Sequence, residues 1–259
     1  MDRATDLEFE VNRRVLALVT LLGFVAAVPA PAATPAPAPA HNWVEGENYY
    51  LVDTIPRSAP PPGKIVVTEV FSYGCPACNE FNPTAKRLIA SLPSNVVFTY
   101  VPAGFIPAED WPTFQRAFCT AESLGIAAKA HDAMFEAVWK TGELAIMNPT
   151  THQLRSPLPT IADIAAFYAK RTGVKAADFV AAANSFDADR RIREANQFIR
   201  DFRVDSTPTI IVANKYRTDA RSAGGYEELV QLVSWLVAKE SPAPKPAAAA
   251  PAAKRAPKK

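Results

Sequence analysis

The sequence predicts an α/β fold whose sheet is interrupted by an all-helical insertion. Three observations carry that prediction. Residues 64–71 (Lys-Ile-Val-Val-Thr-Glu-Val-Phe) are β-branched and nearly continuous in apolar character, the pattern of a strand buried on both faces. Residues 111–202 hold successive stretches of helical spacing with no strand pattern between them. Residues 209–213 (Thr-Ile-Ile-Val-Ala) then return to a short apolar strand before an amphipathic helix. Strand-forming segments on both sides of a helical block make that block an insertion rather than a tail domain.

The elements follow in chain order. Residues 49–52 read as a strand beside the central one at 64–71. Pro76 stands where a first-turn proline is tolerated, and Phe81, Ala85, Leu88 and Ile89 recur at helical spacing up to Ser91. Residues 96–101 (Val-Val-Phe-Thr-Tyr-Val) are the next strand, so the first half is a strand, helix, strand unit with a right-handed parallel crossover. Pro102 and Pro107 end it. Helices are predicted over 113–124, 127–139, 161–172, 176–183 and 187–202, with Asp187 and Asp189 placed as capping carboxylates. Residues 141–160, with three prolines and little periodicity, read as a surface loop. Asn214 and Lys215 suit a turn after the strand at 209–213. A last helix over 226–239 puts Leu229, Leu232, Val233 and Leu236 on one face.

Composition bounds the rest. Of 24 prolines in 259 residues, ten fall in two Ala/Pro-rich stretches, at 29–39 and 242–257, which leaves about 200 residues to fold, enough for one domain with a full core. The last 19 residues carry five basic charges and no acidic one, so the formal +2 of the chain becomes −3 without them. The basic balance belongs to the tail, and a nucleic-acid-binding core is not expected. Arg13 and Arg14 precede fourteen uncharged residues, 15–28, and then Ala30-Pro31-Ala32. This is the pattern of a secretory signal peptide cleaved near Ala32, with an apolar run too short to span a bilayer. Asp2, Asp6, Glu8 and Glu10 do not suit a leader, and a start at Val11 would head the run with Asn12, Arg13 and Arg14. The expected organisation is a leader at 1–32, a Pro/Ala spacer at 33–42, a sheet domain made of 43–108 and 203–240, the helical insertion at 109–202, and a disordered basic tail at 241–259. The tail reads as a solubilising segment rather than a membrane-surface contact. Export places the mature chain where thiols oxidise, yet three cysteines are too few for a stapled scaffold.

The chemistry lies in Phe71-Ser72-Tyr73-Gly74-Cys75-Pro76-Ala77-Cys78. A C-x-x-C opening a helix after a strand puts its first sulfur beside unpaired amides and the positive end of the helix dipole, which stabilise a thiolate. The second sulfur, a turn further in, is shielded. Cys75 is therefore expected to be the exposed nucleophile and Cys78 the resolving cysteine. The competing reading, half of a zinc site, needs two more ligands from Cys119, His41, His131 and His152, and none of these forms a second close pair. No metal is expected. Cys119, on a helix with Phe114 and Phe118, reads as a buried unpaired thiol. His131 reads as a packed or surface histidine, while Trp111 and Phe105 suit either an apolar substrate groove or the core.

Glu69-Val-Phe-Ser-Tyr-Gly-Cys75-Pro76-Ala77-Cys78-Asn-Glu-Phe81, a helical insertion, and then Val204-Asp-Ser-Thr207-Pro208-Thr-Ile resemble the thioredoxin superfamily, and more closely the DsbA family of secreted thiol:disulfide oxidoreductases. The match covers most of residues 43–239. The resemblance implies a thioredoxin fold with a helical insertion, and a cis Pro208 that turns the Thr207 main chain toward Cys75 to hydrogen-bond an extended substrate. It implies that Glu69, six residues before Cys75, is a buried carboxyl of raised pKa that takes and returns the Cys78 proton. The family's common dipeptide is Pro-His, whose imidazole helps hold the thiolate, and Ala77 departs from it. The Cys75 thiolate should be less stabilised here than in Pro-His members. Values established for two relatives bracket the expectation: about pKa 3.5 and −120 mV for DsbA, roughly 7 and −270 mV for thioredoxin.

The expected activity is disulfide donation to unfolded or reduced secreted proteins in the periplasm by a monomer, with reoxidation by a membrane DsbB-type quinone-coupled partner. The dithiol itself serves as redox centre, and no diffusible cofactor is expected. Two alternatives stand beside it: a reductase or isomerase, if the missing imidazole lowers the potential, and a redox-inert thioredoxin-fold peptide binder or chaperone.

Overall fold

The computed structural model describes residues 41–53 and 60–241. The expected leader at 1–32, most of the expected spacer at 33–42 and almost all of the expected tail at 241–259 lie outside the described residues. By its contacts the chain divides into Met1–His41 and Asn42–Lys259, and the fold set out below is that of the second unit.

Among the described residues, five strands form one mixed sheet. β2 (Ile65–Phe71) is central, with β3 (Val96–Pro102) parallel on one side and β4 (Thr209–Val212) antiparallel on the other. β5 (Tyr216–Asp219) and β1 (Tyr50–Leu51) extend it antiparallel, in the order β1-β5-β4-β2-β3. The strand expected beside the central one is thus an edge strand, separated from it by β5 and β4. Its register pairs Tyr50 with Arg217. The parallel β2–β3 pair requires a crossover, supplied by α1 (Pro76–Ser91), whereas β4 and β5 need only the turn at Ala213 and Asn214, both at positive φ.

Side chains alternate across a strand, so Val67, Glu69 and Phe71 share one face of β2. On that face Val67 packs with Phe81, Ala85 and Leu88 of α1 and with Leu229, Leu232, Val233 and Leu236 of α8 (Tyr226–Glu240). The four α8 residues are fully buried, a gross gain of roughly 6–12 kcal/mol at 1.5–3 kcal/mol each. The opposite face, through Val70 and Ile211, packs on Ile199, Phe202 and Val204. Pro83 sits inside α1 and has no N–H to give the Asn79 carbonyl.

Between β3 and β4 the chain makes a 3-10 turn (Pro107–Glu109) and five helices: α2 (Trp111–Ser123), α3 (Ala127–Trp139), α4 (Ile161–Thr172), α5 (Ala176–Ala183) and α6 (Phe186–Asp201). Three of these match the periodicity to the residue; α2 begins two residues early and α6 lies one residue N-terminal of its expected place. The α6 cap is Ser185, whose hydroxyl accepts from the Ala188 amide, while Asp187 is turned to Arg190 and Arg191. Arginines one turn along outcompete the helix end for that carboxylate. The 141–160 segment is not wholly a surface loop. Leu144, Ala145 and Ile146 are buried and Met147 bridges to Leu154, because the helical block needs them to close its own core. A short α7 (Ala220–Ala223) precedes α8.

Sheet and helical block meet at Phe71. Its ring makes edge contacts with Tyr73, Phe118, His131 and Tyr100 at centroid distances of 5.0, 5.0, 5.2 and 5.4 Å. The end of the central strand, where the cysteine segment begins, is therefore built into the insertion.

Candidate active site

β2 ends at Phe71, and Ser72-Tyr73-Gly74 turn the chain into α1. The turn is closed by the Cys75 amide donating to the Ser72 carbonyl (3.1 Å) and by the Gly74 amide donating to Ser72 Oγ (3.2 Å). The insertion holds it at three points. Trp139 Nε1 donates to the Tyr73 carbonyl (2.8 Å), the buried Tyr73 hydroxyl bonds His131 Nδ1 (2.9 Å), and Trp111 lies against Gly74. A Cβ at Gly74 would sit 2.6 Å from Trp111 Nε1, so glycine is required there for close approach.

Cys75 is the N-cap of α1, in extended conformation, and its Sγ accepts from the Cys78 amide at 3.3 Å. A sulfur in that place takes one of the amide bonds the helix cannot satisfy itself. From the other side the Thr207 carbonyl accepts from Cys75 Sγ at 3.4 Å. Thr207–Pro208 is a cis peptide, as the resemblance implied, and Thr209 Oγ1 closes the loop onto the Ser206 carbonyl (2.8 Å). The nucleophile expected to be exposed is nearly covered: Cys75 is 5% exposed and Cys78 0%. The Thr207–Pro208 loop lies against the first sulfur.

The two thiols are driven apart electrostatically. The Cys75 thiol is lowered to about 6, by hydrogen bonding from the Cys78 side chain first, against the opposing effect of burial, with further help from the Thr207 side chain and the Cys78 and Ala77 amides. Burial pushes the Cys78 thiol well up, and the charges of Cys75 and Glu69 add to the rise. Glu69 is 3% exposed and its carboxyl is raised to about 8, by burial first and by Cys75 second. Glu69, Cys75 and Cys78 thus form one interacting group. Such an arrangement suits an ionised outer sulfur, a protonated inner sulfur and a carboxyl able to change state near neutrality.

Beside Ala77 and the proline loop lies an open pocket of about 550 Å³, lined by Tyr50, Ala77, Thr207, Pro208, Arg217 and Tyr226 among others. Neither Trp111 nor Phe105 lines it. Trp111 is buried against Gly74, and Phe105, 37% exposed, stacks on its outer side at 6.4 Å. Cys119 is buried and unpaired, with its thiol pushed up to about 12 by burial. His131 is packed among aromatic rings, and burial lowers it to about 4. Among the described residues, no group of three or more His, Cys, Asp or Glu side chains is placed to hold a metal ion.

Sequence reasoning missed Ser72, Trp139 and Tyr226. The Tyr226 hydroxyl donates to the Ala77 carbonyl at 3.1 Å, from an element 149 residues away that carries no local motif.

A thioredoxin family model matches residues 61–232. A thiol:disulfide interchange protein DsbA from Pseudomonas syringae is 34% identical over 222 residues, covering 86% of this chain and 96% of that one. The Pseudomonas aeruginosa DsbA is also 34% identical, covering 89% and 96%. Among solved structures, the oxidoreductase DsbA from Xylella fastidiosa superposes with a TM-score of 0.67 at 33% identity, covering 77% of this chain and 98% of that one.

Proposed function

The chain belongs to the DsbA family of thiol:disulfide interchange proteins and is a thiol:disulfide oxidoreductase; from that premise we propose that Cys75 and Cys78 exchange disulfides with reduced proteins outside the cytosol. The observation that carries the assignment is the Cys75 sulfur at the helix cap, bonded by the Cys78 amide at 3.3 Å and set 3.4 Å from the Thr207 carbonyl.

The oxidised enzyme holds a Cys75–Cys78 disulfide. A substrate thiolate attacks Cys75 Sγ, the intramolecular S–S bond breaks, and Cys78 leaves as the thiol once it gains a proton. A second substrate thiolate attacks the substrate sulfur of the mixed disulfide and expels Cys75 as a thiolate. The substrate loses two electrons and the enzyme's disulfide gains them. Glu69 supplies and withdraws the Cys78 proton, a role that fits a carboxyl raised to about 8 by burial. The Thr207 main chain lies along the approach to Cys75 and pairs with an extended substrate. Pro76 and Ala77 shape the first turn of α1, and the cis Pro208 holds the loop against the sulfur.

The thiolate favours the reduced enzyme, which makes the disulfide a donor. A Cys75 thiol near 6 lies between about 3.5 and about 7, the values established for DsbA and thioredoxin. The dithiol serves as the redox centre with no further cofactor. Export by the leader to the periplasm, action as a monomer, and reoxidation by a membrane DsbB-type partner complete the proposal. Stoichiometric oxidation of reduced ribonuclease by the disulfide form tests it: recovery of ribonuclease activity is expected, with none from Cys75→Ser, and equal recovery from that variant would overturn the assignment.

A further inference from the structure

We propose that Tyr226 is a positioning residue for the Cys75 sulfur, acting through the peptide group that joins Ala77 to Cys78. The inference rests on the reading of Cys75 as the nucleophile. Two hydrogen bonds carry it: the Tyr226 hydroxyl donates to the Ala77 carbonyl at 3.1 Å, and the Cys78 amide donates to Cys75 Sγ at 3.3 Å. The acceptor of the first and the donor of the second belong to the same amide. A donor on the carbonyl draws electron density from the nitrogen and makes the N–H more positive, so the two bonds reinforce each other. A helix carbonyl has two lone pairs and its intrahelical partner uses one, which leaves a place for the tyrosine.

The fold fixes the hydroxyl between two helices. Gly224 and Gly225, at φ of 102° and 154°, make the break between α7 and α8 and set Tyr226 as the first residue of α8. Its ring packs on Phe81 of α1 at a centroid distance of 5.3 Å. The phenol is pushed up from its ordinary value, by burial first and then by the charges of Glu80, Cys78 and Cys75, so it remains a donor while Cys75 titrates.

The ionisable groups around the sulfur are Cys78 on α1, Glu69 on β2 and Tyr226 on α8. Asp205, Arg217, Asp219 and Arg221 line the pocket beyond Pro208. The insertion presents the uncharged Trp111 to Gly74 and places His131 on the Tyr73 hydroxyl. Tyr226 differs from all of these in acting on the amide that holds the sulfur.

The test compares reduced wild type with Tyr226→Phe, which keeps the ring on Phe81, by thiolate absorbance against pH. Wild type is expected to titrate near 6. Losing a reinforcement of about 10–30% on a hydrogen bond to a charged group raises that midpoint by up to about half a unit, a roughly threefold loss of thiolate relative to thiol. The disulfide becomes a weaker oxidant by the same threefold factor, about 14 mV, and the Cys78 amide proton shifts upfield. Tyr226→Leu, which also removes the ring, should lower the melting temperature further yet titrate with Tyr226→Phe. Midpoint and amide shift unchanged in Tyr226→Phe would overturn the inference. Wild type titrating near 9.0, the ordinary thiol value, would instead overturn the nucleophile assignment beneath it.

Discussion

Replacing Glu69 with Gln removes a buried ionisable group from the sheet below the cysteines while nearly keeping its shape. The carboxyl is raised from 4.5 to about 8 in the folded protein, so between those values the folded state holds a proton that the unfolded chain has released. Stability from this group is fully present below the unfolded value and is lost as pH rises through the folded one. At about 1.36 kcal/mol per unit, the loss over that window is about 5 kcal/mol. His131, lowered from 6.5 to about 4, works in the opposite sense, losing stability as pH falls through that window. It is common to both proteins and cancels in their difference. Urea unfolding of reduced wild type and Glu69→Gln from roughly pH 5 to pH 8 should show wild type losing about 4 kcal/mol relative to the variant. Part of the rise comes from the Cys75 charge, so the difference should be smaller when both proteins are oxidised. A flat difference in both redox states would mean that Glu69 is hydrated and ionises normally, and the proton-relay role would fall with it.

Two further predictions concern the surroundings of the site. Gly74→Ala places a methyl 2.6 Å from Trp111 Nε1 and should cost about 1–3 kcal/mol in denaturant unfolding through overpacking; unchanged stability would show that Trp111 does not press on this turn. Alkylation of reduced native protein near neutral pH should label Cys75 first and leave Cys78 and Cys119 unlabelled until unfolding, since burial raises both of those thiols. Equal labelling of Cys75 and Cys119, read by peptide mass spectrometry, would contradict the order of their acidities.

The legible parts of this chain were those with a local cause. The run at 64–71, the first-turn Pro76 and the face of Leu229, Leu232, Val233 and Leu236 each state their period within a few residues, and each forms the expected element. Strand order has no such local cause. The strand expected over 49–52 forms only at Tyr50–Leu51, and its place at the sheet edge depends on pairing with Tyr216 and Arg217 far along the chain. The 141–160 segment misled because prolines mark it as irregular, while burial of Leu144 and Ile146 is decided by the helices around it. At the site, Cys75, Cys78 and Glu69 share one strand–turn–helix and could be read together. Tyr226 and Trp139 reach the same turn from distant helices through single hydrogen bonds, which no spacing encodes. The contact on the Cys75 sulfur likewise comes from the Thr207–Pro208 loop, 132 residues away from it in sequence.

Disulfide donation by Cys75 and Cys78 is tested most directly by the reduction potential of the purified protein against glutathione buffers, with Cys78→Ser as the control for a two-thiol transition. One two-electron transition well above about −200 mV, absent in Cys78→Ser, is expected; a value near −270 mV, that of a reductase such as thioredoxin, would contradict donation.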